Sequence, residues 1–214
     1  MPQPWLIGVK KRAVGDEPIF LDKRLFGDLF SIINLEGWPY KTNRQEFQLR
    51  DRALMCLLIL TGLRISEVLM LRKLQFRVYN KKIMLKSVRT KKSGYTREKI
   101  TLPKTGSLAR FTDVFENWLR FVSTKEHYIF PCGTAYGFKW NKHLGRKRAF
   151  WIIKTTTGKF PHYFRAVCET IYGRIIFKND AWKLKQFMGL KRLDSTTPYV
   201  KGSWEEDEHR IFEI

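Results

Sequence analysis

Cysteine is scarce in these 214 residues: only Cys56, Cys132 and Cys168 occur, scattered and odd in number. That usage gives neither a disulfide framework nor the paired C-x-x-C spacing of a zinc site, and it fits a reducing, intracellular setting. Long apolar runs are missing too. The longest, Ala53 to Leu60, falls far short of the roughly 20 residues that cross a bilayer, so no membrane role is expected. No secretory signal opens the chain, because Lys10, Lys11 and Arg12 follow the short apolar stretch instead of preceding it. Acidic residues are few: 20 Asp and Glu stand against 41 Lys and Arg, a net charge of +21. With 43% hydrophobic and 14% aromatic residues, the chain can still bury a core, which excludes disorder driven by charge.

The surplus is uneven. Residues 51–110 hold 15 basic and 3 acidic groups, while residues 203–214 hold 1 and 5. A field of this strength opposes compaction through self-repulsion, and its usual use is to draw in an anionic partner. A membrane-surface protein concentrates such charge on one amphipathic helix; here it runs through the body of the chain. Nucleic acid is the partner this pattern favours.

Punctuation and periodicity divide the chain. Pro2, Pro4, Gly8, Gly15 and Pro18 mark residues 1–19 as an irregular arm. Leu25, Phe26, Leu29, Phe30 and Ile33 recur at helical spacing, and residues 48–60 form an apolar helix stopped by Thr61-Gly62. A short helix over Ser66–Leu71 follows. Residues 82–88 and 96–102 read as a hairpin with a basic tip at Lys91-Lys92-Ser93-Gly94. Further helices are expected around Leu108–Val122, within Trp140–Ile153, from Pro161 through Ile175, and over residues 181–188. The expected fold is mainly α with one small antiparallel β-sheet (α+β).

Four pieces then stand in order: TGLRISEVLML (61–71), VRTKKSG (88–94), HYFR (162–165) and MGLKRLDSTTPY (188–199). This order resembles the catalytic domain of the tyrosine recombinase, or phage integrase, family. That family carries an Arg in a TGxRxxE box, a Lys on a β-hairpin, a HxxR box, a Gly-His or Gly-Trp, and a Tyr nucleophile. The resemblance spans about residues 20–202, leaving residues 203–214 as an acidic tail. It implies a site-specific recombinase that cleaves and rejoins double-stranded DNA through a 3′-phosphotyrosyl intermediate, without metal or cofactor.

The implied catalytic residues are Arg64, Lys91, His162, Arg165 and Tyr199. Planar guanidinium forks suit the non-bridging phosphate oxygens and stay charged. By resemblance Tyr199 attacks phosphorus and Lys91 protonates the leaving 5′ oxygen. His162 assists proton transfer or contacts the phosphate. The family's T-K-T pattern favours Lys91 over Lys92 and Lys86.

Two departures stand out. Gly189-Leu190 replaces the usual Gly-His or Gly-Trp, with Lys191 and Arg192 as substitute DNA contacts. Pro198 precedes Tyr199, so Thr197 either caps a short helix or belongs to an extended segment. The resemblance also implies a homo-oligomer on DNA, with Trp204, Ile211 and Phe212 of the tail as docking groups for a neighbouring protomer. Residues 1–19 are too short for the separately cored DNA-clamping domain common in the family, as in a domain cut from a longer protein or a naturally short recombinase. Rivals are a non-catalytic DNA-binding accessory with the same fold and a type IB topoisomerase-like nicking-closing enzyme.

Overall fold

The computed structural model describes Leu29, residues 45–89 and residues 96–190, apart from the side chains of Arg89 and Thr96. Its centre is α1 (Gln45–Thr61), whose residues Ala53 to Leu60 are all fully buried. A helix apolar around its whole circumference must be enclosed on all sides. α3 (Ala109–Phe121), α4 (Arg146–Thr157) and α5 (Pro161–Thr170) all pack against it. α2 (Ile65–Leu69) follows α1 after a tight turn. Leu29, from the first expected helix, is helical and buried in the same core.

α3 buries Phe111, Phe115, Trp118 and Leu119, and the Trp118 indole donates to the Ile129 carbonyl at 2.7 Å. Pro161 opens α5, where its missing N–H costs nothing. The helix then widens into π-type turns over Ile171–Ile176. α6 (Ala181–Met188) starts on Asp180, whose side chain accepts the Lys183 N–H, and ends on Gly189 at φ 63°. No described helix is long and apolar enough to cross a membrane.

Two antiparallel sheets are present among the described residues, one more than expected. β1 (Phe76–Val78), β2 (Lys82–Arg89) and β3 (Thr96–Pro103) form the first, in that order. β4 (Pro131–Thr134) and β5 (Gly137–His143) form the second. The helix expected within Trp140–Ile153 begins only at Arg146, because Trp140 belongs to β5. There Trp140 stacks with Trp118 at 6.1 Å and with His127 at 5.1 Å.

The β2–β3 ladder changes face part-way along. Ile83 pairs with Leu102 and Leu85 with Ile100, and all four are buried. Strict alternation would make Ser87 and Glu98 the next inward pair. Instead both are exposed, and Val88 and Arg97, which pair with each other, are the buried residues. Ser87 sits at φ 53°, a left-handed conformation that turns the strand over. The Gln75 side chain holds the Ser87 carbonyl at 3.1 Å. A β-branched residue resists this backbone, so Ser87→Val should lower stability by about 1–2 kcal/mol, whereas Ser87→Gly should be neutral or stabilising. Urea midpoints of the two variants check the conformation directly.

Candidate active site

A helix ends with backbone carbonyls that have no partner within it. At the end of α1 these groups are buried, so other parts of the chain must supply the donors. Three consecutive carbonyls receive them. Tyr172, in the π-type turns, donates its hydroxyl to the Leu60 carbonyl at 3.3 Å. Arg97, on β3, donates Nη1 to the Thr61 carbonyl at 2.8 Å. Arg165, on α5, donates Nη1 to the Gly62 carbonyl. The partial negative charge at a helix C-terminus favours two buried guanidinium groups there.

Gly62 makes the turn. Its φ is 59°, and a Cβ built on it would lie 2.7 Å from Met188 Cε and 3.0 Å from Cys168 Sγ. Two residues later Arg64 precedes α2 with extended backbone, φ −69° and ψ 148°. Glu67 fixes it twice: one carboxylate oxygen accepts the Arg64 N–H at 2.8 Å and the other accepts Arg64 Nη1 at 3.1 Å. The Glu67 side chain is 3% exposed and that of Arg64 is 40% exposed. A buried carboxylate thus aims a cation whose remaining N–H groups face outward.

α5 supplies the other half. Its start is set by Phe160, which stacks on Phe150 at 5.3 Å while Lys154 Nζ lies 4.3 Å from its ring. His162 and Arg165 are three apart, on one face of the helix. His162 is exposed. Arg165 is buried, its Nε bonded to Glu169 Oε1 at 3.0 Å. Arg165 thus grips the turn that leads two residues later to Arg64, and His162 stands one helical turn from Arg165. Lys91, Lys92, Lys191, Arg192 and Tyr199 lie outside the described residues. Leu190, in place of the family's His or Trp, packs against the core, and its N–H closes α6 on the Lys185 carbonyl at 3.0 Å.

The other nucleophile candidates nearby are disarmed. Burial pushes the Cys168 thiol and the Tyr172 hydroxyl well above their ordinary pKa values. Arg97 is pulled down to about 10, first by burial and further by the neighbouring Arg165 cation, yet remains charged at neutral pH. No cluster of three His, Cys, Asp or Glu side chains able to hold a metal occurs among the described residues. Arg97, Tyr172 and Glu169 escape sequence reasoning. Alternation from Ile100 and Leu102 puts Arg97 outside, and only the left-handed Ser87 turns it in.

Known proteins match this chain in sequence pattern and in fold. The Phage integrase family is matched over residues 40–201. No curated protein matches in sequence. Among solved structures, the XerH site-specific recombinase bound to difH superposes with a TM-score of 0.61 at 16% identity, covering 89% of this chain and 52% of XerH. The XerA recombinase gives 0.59 at 16% identity, covering 97% of this chain and 67% of XerA. A lambda integrase dimer bound to a COC′ core site gives 0.54 at 12% identity, covering 89% and 51%. The chain thus spans about half the length of XerH and lambda integrase.

Gly62 is the position on which this geometry turns. Met188's thioether can yield to a Cβ, but the backbone conformation cannot. Gly62→Ala should cost about 1–3 kcal/mol and shift the carbonyl that Arg165 grips. A thermal melt measures the first effect, and amide exchange at Leu63 and Arg64 the second.

Proposed function

Because the chain belongs to the phage integrase family, we propose that it cleaves and rejoins double-stranded DNA by transesterification, with Tyr199 as nucleophile. The observation that carries this reading is the pair Arg64 and Arg165, held on one helix end by Glu67, Glu169 and the Gly62 carbonyl. Two preorganised guanidinium groups match the two non-bridging oxygens of a phosphodiester. Removing one such donor typically costs about 3–4 kcal/mol of transition-state stabilisation.

The Tyr199 oxygen attacks phosphorus as the bond to the 5′ oxygen breaks. Lys91 gives that oxygen its proton, and His162 takes part in proton transfer or contacts the same phosphate. The bond energy is kept in a 3′-phosphotyrosyl ester, so attack by a 5′-hydroxyl restores DNA without an external energy source. The two arginines supply the positive charge, so this reading calls for no cofactor.

Affinity for the duplex is supported by a second surface. α4, which packs beside α2, exposes Arg146, Lys147 and Arg148 at an N-terminus that no side chain caps. Arg148 lies 4.3 Å from the half-exposed Trp151 ring. Unpaired N–H groups and basic side chains at one helix end suit phosphate. Lys139 and Lys142 on β5 add charge on the approach. Lys92, Lys191 and Arg192 are proposed as further DNA contacts. Assembly as a homo-oligomer on DNA belongs to the same proposal, with lambda integrase, a dimer on its core site, as the parallel.

Leu190 favours the rival reading of a DNA-binding accessory, since it offers no donor where the family has His or Trp. One experiment separates the two. On nicked suicide duplexes drawn from a randomised library, the protein should form an SDS-stable adduct that Tyr199→Phe abolishes. An adduct persisting in Tyr199→Phe would overturn the assignment, and no adduct anywhere in the library would favour the accessory. Binding should weaken steeply with salt, log K falling by about 0.9 per phosphate contacted. Arg146→Ala should reduce that slope by roughly one contact.

A further inference from the structure

We infer that Arg97 is a positioning residue that ties together the chain segments carrying Lys91, Arg64 and Tyr199. This rests on the strand-transfer reading above. Arg97 touches all three segments at once. Its own backbone belongs to β3, one pair from the end of the β2–β3 ladder that leads into residues 90–95, which carry Lys91 and Lys92. Its Nη1 holds the Thr61 carbonyl, three residues before Arg64, at 2.8 Å. Its guanidinium carbon lies 4.7 Å over the Phe187 ring on α6, two residues before Gly189 and the segment leading to Tyr199. Phe187 in turn stacks on Tyr172 at 4.0 Å, and Tyr172 holds the adjacent Leu60 carbonyl.

Simple packing does not explain this arrangement. Arg97 is 4% exposed, and its buried Nη2 has no hydrogen-bond partner among the described residues. Its charged neighbours oppose one another, since Glu67 attracts it and Arg165 repels it, while burial keeps Cys168 and Tyr172 protonated at ordinary pH. Apolar residues often replace a whole buried ion pair with little loss of stability, but Arg97 binds a carbonyl, which an apolar side chain would leave without a donor. An apolar residue cannot fix the Thr61 carbonyl and the Phe187 face relative to β3. The inverted Val88–Arg97 pair serves the same end, because without the Ser87 turn Glu98 would face inward and Arg97 would lie in water.

The test uses the full chain with Arg97→Lys and Arg97→Met. Amide exchange in both should accelerate together at Leu63–Arg64, around Glu98 near the loop end of the β2–β3 ladder, and in α6. At saturating suicide duplex, single-turnover adduct formation should fall by at least about tenfold in Arg97→Met, with Arg97→Lys between it and the original protein. The salt slope of DNA binding should stay unchanged, because a buried group contacts no phosphate. An unaltered cleavage rate in folded Arg97→Met overturns the inference. So does a salt slope reduced by one contact, which would make Arg97 a direct phosphate ligand. If Arg97→Met does not fold, the Lys variant carries the same outcomes. If the original protein forms no adduct, the strand-transfer reading fails separately, and exchange decides. Concerted loosening retains the tie between segments, and unchanged exchange overturns it.

Discussion

Three consecutive carbonyls where α1 ends, those of Leu60, Thr61 and Gly62, govern the arrangement of the described residues. A buried acceptor left without a donor costs about 1–3 kcal/mol, and α1 is too enclosed for water to satisfy Leu60, Thr61 and Gly62. The donors arrive from three places far apart in sequence: Tyr172, Arg97 and Arg165. Each bond therefore fixes a long-range approach, of the π-type turns, of β3 and of α5. Satisfying the end of one buried helix and assembling the site are the same act.

Such an arrangement gathers positive charge, which needs an electrostatic account. Arg97 and Arg165 are close enough for each to disfavour the other's charge. The helix C-terminus offsets part of that repulsion, and the buried carboxylates of Glu67 and Glu169 offset more. The carboxylates are not evenly placed, however. Glu169 binds Arg165 and Glu67 binds Arg64, while Arg97 has only a carbonyl and an aromatic face. The structure thus holds Arg64 and Arg165 by ion pairs and Arg97 by a carbonyl and a ring face.

Much of this was legible in the sequence, for identifiable reasons. Gly62 announces a helix end because few other residues take its backbone, and the apolar run Ala53–Leu60 can only be a buried element. The HYFR box lies within α5 and TGLRISE spans one short turn from α1 into α2, so Arg64, Glu67, His162 and Arg165 fall where local spacing puts them. The β4–β5 hairpin was hidden because Trp140, Lys142 and His143 alternate weakly and are only half-buried or exposed. Its register is set by aromatic packing on Trp118, a residue outside the hairpin. Arg97 was hidden for a sharper reason: beside left-handed Ser87 the Val88–Arg97 pair switches to the buried face, and serine carries no signal for that conformation.

That reversal also bears on how a basic protein places its charge. The surplus of cations in residues 51–110 suggests a surface drawn to polyanions, but not every cation in it is available. Arg97 is sealed inside, Arg64 is half-turned outward, and Glu98 and Lys99 occupy the outer face beside them. The net field therefore reflects two populations: exposed residues such as Arg146 and Lys147, and buried arginines such as Arg97 and Arg165 that satisfy backbone carbonyls. Counting charge alone overstates the first and conceals the second. A guanidinium can do both jobs because it is hydrated weakly and offers several donors in one plane. A lysine ammonium at position 97 would pay more to leave water and could not present the same flat face to Phe187.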